Sequence, residues 1–109
     1  MSKFFESDQV KNEMHEITCL QKELYDVIMK FPMMSPKAKS EHIDTVMELL
    51  ERQQIMWTRL SLTDDKEAKK MKDYIATHAQ ELGFGDTDMG TIFSNMKTTL
   101  ENVQKNLQQ

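Results

Sequence analysis

Apolar residues recur along this chain at alternating steps of three and four. Val10, Met14, Ile17, Gln21, Leu24, Ile28 and Phe31 follow that rhythm with one polar member. Ile43, Val46, Leu50, Gln53, Trp57 and Leu60 follow it again, also with one glutamine. A period near 3.6 places each set on one stripe of an α-helix, and two such stripes bury their apolar faces against each other. The first helix is expected from about Ser7 to Lys30, with Ser7 or Asp8 accepting the first free backbone N–H groups. Phe31-Pro32 ends it, because proline restricts the residue before it. The second helix starts sharply, with Ser35 as N-cap and Pro36 at the first helical position, where a missing N–H costs nothing. It runs to about Leu60, and Ser61 to Thr63 form the break.

Two shorter helices are predicted to follow. Asp64 and Glu67 stand at capping-box spacing, and Ala68, Met71, Ile75, His78 and Leu82 make the third stripe. Gly83 falls where a left-handed C-cap belongs. Asp86, Thr87 and Asp88 offer a cap to a last helix, with Met89, Ile92, Phe93, Met96, Leu100, Val103 and Leu107 as its stripe. The turn Phe31–Ser35 is short, so the two long helices should lie antiparallel. The expected fold is all-α: a four-helix, bundle-like single domain over residues 1–109, built on a long hairpin of helices 1 and 2. Folding the chain at the turn sets Leu24 near Ile43, Ile17 near Leu50 and Val10 near Trp57. Trp57, on the stripe, should be mostly buried. Gln21 and Gln53 interrupt both stripes. Either they set helix register or, the preferred reading, they lie at the stripe edge with their amides in water.

Composition narrows the function classes. The 109 residues carry a net charge of −4, with a sequence pI near 5.3, which argues against nucleic acid as a partner. The acidity is diffuse rather than gathered in a tail. No apolar run resembles a signal peptide or is long enough to span a bilayer, so no membrane association is expected. A single cysteine, Cys19, cannot form an intrachain disulfide, and a cytoplasmic setting is the simple reading.

Candidate chemistry is sparse. His15-Glu16-Ile17-Thr18-Cys19 resembles the HExxH zinc motif with cysteine in place of the second histidine, but no third ligand stands at a telling distance. The glutamate that di-iron bundles carry three residues before a histidine is missing: Asn12, Lys39 and Ile75 stand there. No phosphate-binding glycine motif is present, since Gly83-Phe84-Gly85 reads as a helix stop and turn. Lys66, Lys69, Lys70 and Lys72 are interleaved with Asp64, Asp65, Glu67 and Asp73, which reads as a solvated helix face. No catalytic residue, cofactor or metal site is therefore expected.

Methionine is frequent, at ten residues. Several fall on core stripes, where flexible thioethers fill gaps. Met29, Met33 and Met34 instead crowd the turn with Phe31 and Pro32: either helix 3 or 4 folds over them, or they form an adaptable interaction or oligomerisation surface. Phe4 and Phe5 are the second candidate, either as anchors on a partner or, better, as a staple folding back near Val10.

The segments FFESDQV, LQKELYDVIMKFP and HIDTVMELLERQQIMWTRLSLTDD resemble a family of small helical cyanobacterial proteins, with related genes in cyanophages, whose function is unassigned. The resemblance runs through about Met71. It implies a cyanobacterial cytoplasm, or a phage protein acting there, and brings no catalytic residues. The expected function is that of a small cytoplasmic regulatory or adaptor protein, not an enzyme. It would bind a host protein and itself, as a homodimer or higher symmetric oligomer. The alternatives are a metal-binding protein using His15 and Cys19, or a nucleic-acid-associated regulator using the lysines of the third helix. Metal content and salt-dependent binding respectively separate these from the first reading.

Overall fold

The computed structural model describes residues 3–84 and 88–107. Among the described residues the chain is all-α, with no strand. The α-helices are α1 (Lys3–Glu6), α2 (Asp8–Ile28), α3 (Pro36–Leu62), α4 (Lys66–Ala79) and α5 (Met89–Leu107). The short α1 is an addition to the four predicted helices.

The predicted start signals mostly hold. The Ser7 hydroxyl accepts the Val10 N–H at 3.5 Å, and that of Ser35 accepts the Ala38 N–H at 3.2 Å, with Pro36 just inside α3. Phe31–Met33 forms one 3-10 turn between the long helices. α3 continues past the predicted break to Leu62. The Ser61 hydroxyl donates back to the Trp57 carbonyl at 3.0 Å, the i−4 bond that serine makes inside a helix.

At α4 the expected cap is displaced by one residue. Asp65, not Asp64, accepts the N–H groups of Glu67 and Ala68, at 3.0 and 3.1 Å. Its second oxygen accepts the Phe4 N–H at 3.2 Å, which fastens α1 to the start of α4. Asp64 points into solvent, 4.0 Å from the Lys69 ammonium. Asp65→Ala should therefore cost about 1–2 kcal/mol, the range for losing an N-cap. Asp64→Ala should leave the unfolding midpoint where it is, and urea denaturation of the two variants checks the assignment.

α4 is shorter than its stripe predicts. The helix gives way after Ala79 to a wider π-type turn over Gln80–Phe84, in which Gly83 takes φ 98°, a conformation suited to glycine. His78, in the last turn of α4, and Leu82, in the turn beyond it, were expected on the buried stripe and are exposed. The Asp88 carboxylate accepts the Thr91 N–H at 3.3 Å and starts α5. Gly85, Asp86 and Thr87 lie outside the described residues.

α3 is the spine. α2, α4 and α5 all pack chiefly on it, and α2 and α5 meet α3 more than each other. The α2–α3 hairpin is antiparallel as predicted. Arg59 donates to Glu13 at 2.7 Å, and Arg52 bridges Glu16 across the interface and Glu48 within α3. At the other end, the Gln104 amide donates to the Ser40 carbonyl at 3.1 Å, so α5 also runs antiparallel to α3. One core cluster sits where α2, α3 and α4 converge: Val10, Met56, Leu60 and Ala68 are buried, with Phe4, Phe5, Met14, Trp57, Met71 and Ile75 packed around them, while Ile43 and Leu50 of α3 and Ile92 and Phe93 of α5 are buried as well. Trp57 is half-buried rather than mostly buried, because it lies at the rim of this cluster, with the Lys72 ammonium 5.6 Å from its ring centroid. The radius of gyration is 15.8 Å, above the roughly 13 Å of a compact chain this long.

Candidate interaction surface

The α2–α3 turn presents the methionines at one end of the molecule. α2 ends at Ile28, because Pro32 has no N–H to return to the Ile28 carbonyl, and the 3-10 turn Phe31–Met33 follows. Met29 and Met33 are 85% and 90% exposed. Phe31 and Met34 are half-buried. The Phe31 ring lies against α3: the His42 ring centroid is 5.4 Å away, and the Lys39 ammonium stands 5.5 Å from the ring centre. Phe31 is thus the base of the tip, and Met29 and Met33 are its crown.

Charge sharpens the picture. Lys30, Lys37 and Lys39 surround the turn, and no acidic residue occurs between Asp26 and Glu41. In an acidic chain the tip is a local excess of positive charge around exposed thioethers. Such a surface suits an acidic partner surface with apolar groups, since flexible methionine side chains adapt to varied contours.

The exposed row extends beyond the tip. Tyr25 and Ile28 of α2 are 78% and 58% exposed, so Ile28, expected on the packed stripe, is not covered. The hairpin diverges from full coverage there because α4 ends before reaching that end of α2. Tyr25 carried no signal in the helical pattern, since it lies off the three-four rhythm.

The structure does not bring Phe4 and Phe5 to the tip. They lie at the opposite end of α2, roughly 30 Å away for a helix of this length. Their rings meet edge-to-face with centroids 5.0 Å apart, and both are half-buried against the core cluster, in the staple arrangement.

Of the other candidate groups, His15 and Cys19 are brought together and the α4 lysines are not. The Cys19 thiol and the His15 ring lie 3.6 Å apart on the exposed face of α2. Among the described residues, no group of three or more His, Cys, Asp or Glu could hold a metal ion. Of the α4 lysines, Lys72 folds over Trp57 and Lys69 turns toward Asp64, so the four do not form one basic face. Tyr74 and His78 stack with parallel rings on exposed α4, 6.2 Å between centroids.

Residues 2–107 match the family described as Domain of unknown function (DUF1825). The chain belongs to that family. The match covers nearly all of it, α4 and α5 included, beyond the Met71 limit of the resemblance read from the sequence. No curated protein and no solved structure matches it. Among the described residues, no helix is long and apolar enough to cross a membrane.

Proposed function

We propose that this protein is a small regulatory or adaptor module that acts by binding other proteins, in the cytoplasm of a cyanobacterium or of a cell infected by a cyanophage. The observation that carries this reading is the tip: two methionines almost wholly in solvent, in a stretch of sequence with three lysines and no acidic residue between Asp26 and Glu41. Leaving such groups in water has no structural purpose within one chain, whereas a partner that covers them gains their burial. The partner surface is acidic and bears a shallow apolar depression, matching the lysine collar and the methionine crown.

Self-association belongs to the same reading. Tyr25, Ile28 and Met29 form a continuous exposed row on the outer half of α2, and a second copy covers it without any new sequence. A two-fold arrangement is the commonest way for one such row to cover its copy.

Affinity capture with the parent chain and with the double variant Met29→Ser/Met33→Ser tests the role of the tip. Both positions are exposed, so the variant should keep its helical circular dichroism and unfolding midpoint. The parent should retain a protein from a cyanobacterial lysate that the variant loses. Equal retention by both would overturn the proposal.

A further inference from the structure

The helices leave a cavity of about 570 Å³ beneath α4, floored by α2, α3 and α5. We infer that this cavity binds a neutral, largely apolar small molecule carrying one or two hydrogen-bonding groups. Its volume falls within the usual range for small-ligand sites, and those sites are mostly apolar with a few placed polar groups.

The lining has that character. Five methionines face it, among them Met14, Met71 and Met96, together with the aromatic side chains of Trp57 and Phe93. Methionine walls adapt to the shape of an occupant, which accounts for half of this chain's methionine content at one place. No Asp, Glu, Lys or Arg is among the described lining residues. His78 is the one described lining residue that can carry a charge, and its ring stands 3.8 Å from the Glu81 carboxylate, so an anion seated among the apolar side chains gains little counter-charge and the part of the ligand held there is uncharged.

The polar groups that do line the cavity are Thr18, Gln21, Gln53 and His78. The two glutamines are the residues that break the apolar stripes of α2 and α3. They neither pair with each other to set register nor bond to another described residue. Gln21 is exposed and Gln53 half-buried; both amides face water at the stripe edge, as the preferred sequence reading expects, and each keeps a donor and an acceptor for an occupant.

The probe N-phenyl-1-naphthylamine tests this. It is neutral and apolar, with one N–H, and its absorption overlaps tryptophan emission. Trp57, the one tryptophan of the chain, lines the cavity and serves as energy donor. Excitation of Trp57 should give saturable probe emission at one probe per chain. Ala79→Phe places a ring in the cavity and should weaken binding about tenfold or more. Gln53→Leu keeps the volume, removes the amide and should weaken it by about three- to tenfold. Leu62→Ser removes an exposed apolar side chain outside the cavity and should leave binding unchanged. Absence of saturable sensitised emission, or several probes per chain, would overturn the inference. So would binding that survives both Ala79→Phe and Gln53→Leu, or that falls with Leu62→Ser.

Discussion

Leu60→Ala should destabilise the chain by about 2–5 kcal/mol, the range for truncating a buried leucine. Leu60 is 1% exposed and is the largest side chain so completely enclosed. It sits where α2, α3 and the start of α4 meet, in one cluster with Val10, Met56 and Ala68. Those neighbours belong to three different helices, so none can shift to fill the gap without moving its own helix. A domain of this size is stable by about 5–15 kcal/mol, so the loss is a large share of the total. In urea, the midpoint should fall by roughly 1–3 M, given the usual slope for small proteins. Leu62→Ala, two residues on, is the control: Leu62 is 82% exposed, and its truncation should change stability by less than about 0.5 kcal/mol. Equal midpoints for the two variants would show that the core lies elsewhere.

The long hairpin was legible in the sequence because its signals are local and agree with one another. Ser35-Pro36 specifies a helix start, Phe31-Pro32 an end, and the three-four rhythm names the facing sides. What periodicity could not show was how far each stripe is covered. Ile28 has the spacing of a core residue, yet α4 stops short of it. Trp57 has the same spacing and sits at the rim. Met56, off the written stripe, is buried because α4 crosses α3 on that side. The cap of α4 has a similar origin: the capping-box spacing pointed to Asp64, whereas Asp65 caps the helix and the tertiary bond from Phe4 joins it to α1.

The candidate surface was partly legible. A run of methionine and phenylalanine around a proline turn signals apolar side chains at a place where a bundle has little to cover them, and Met29 and Met33 are exposed as that argument requires. Phe4 and Phe5 could be placed in either role, because an aromatic pair before a helix suits a staple as well as a partner. The cavity was the least accessible feature. Gln21 and Gln53 stood out as interruptions, but they lie on different helices, and only the placement of α4 and α5 sets both beside one space.

The mass of the chain in solution tests the interaction account most directly. The exposed row on α2 and the methionine crown together leave an apolar strip uncovered along one flank of a molecule measuring 48 × 31 × 20 Å. On the proposed reading this strip is an interaction site. A two-fold dimer is the commonest closed arrangement that covers one. Light scattering at micromolar concentration should give at least twice the 12.8 kDa of one chain. A monodisperse monomer at that concentration would contradict self-association along α2.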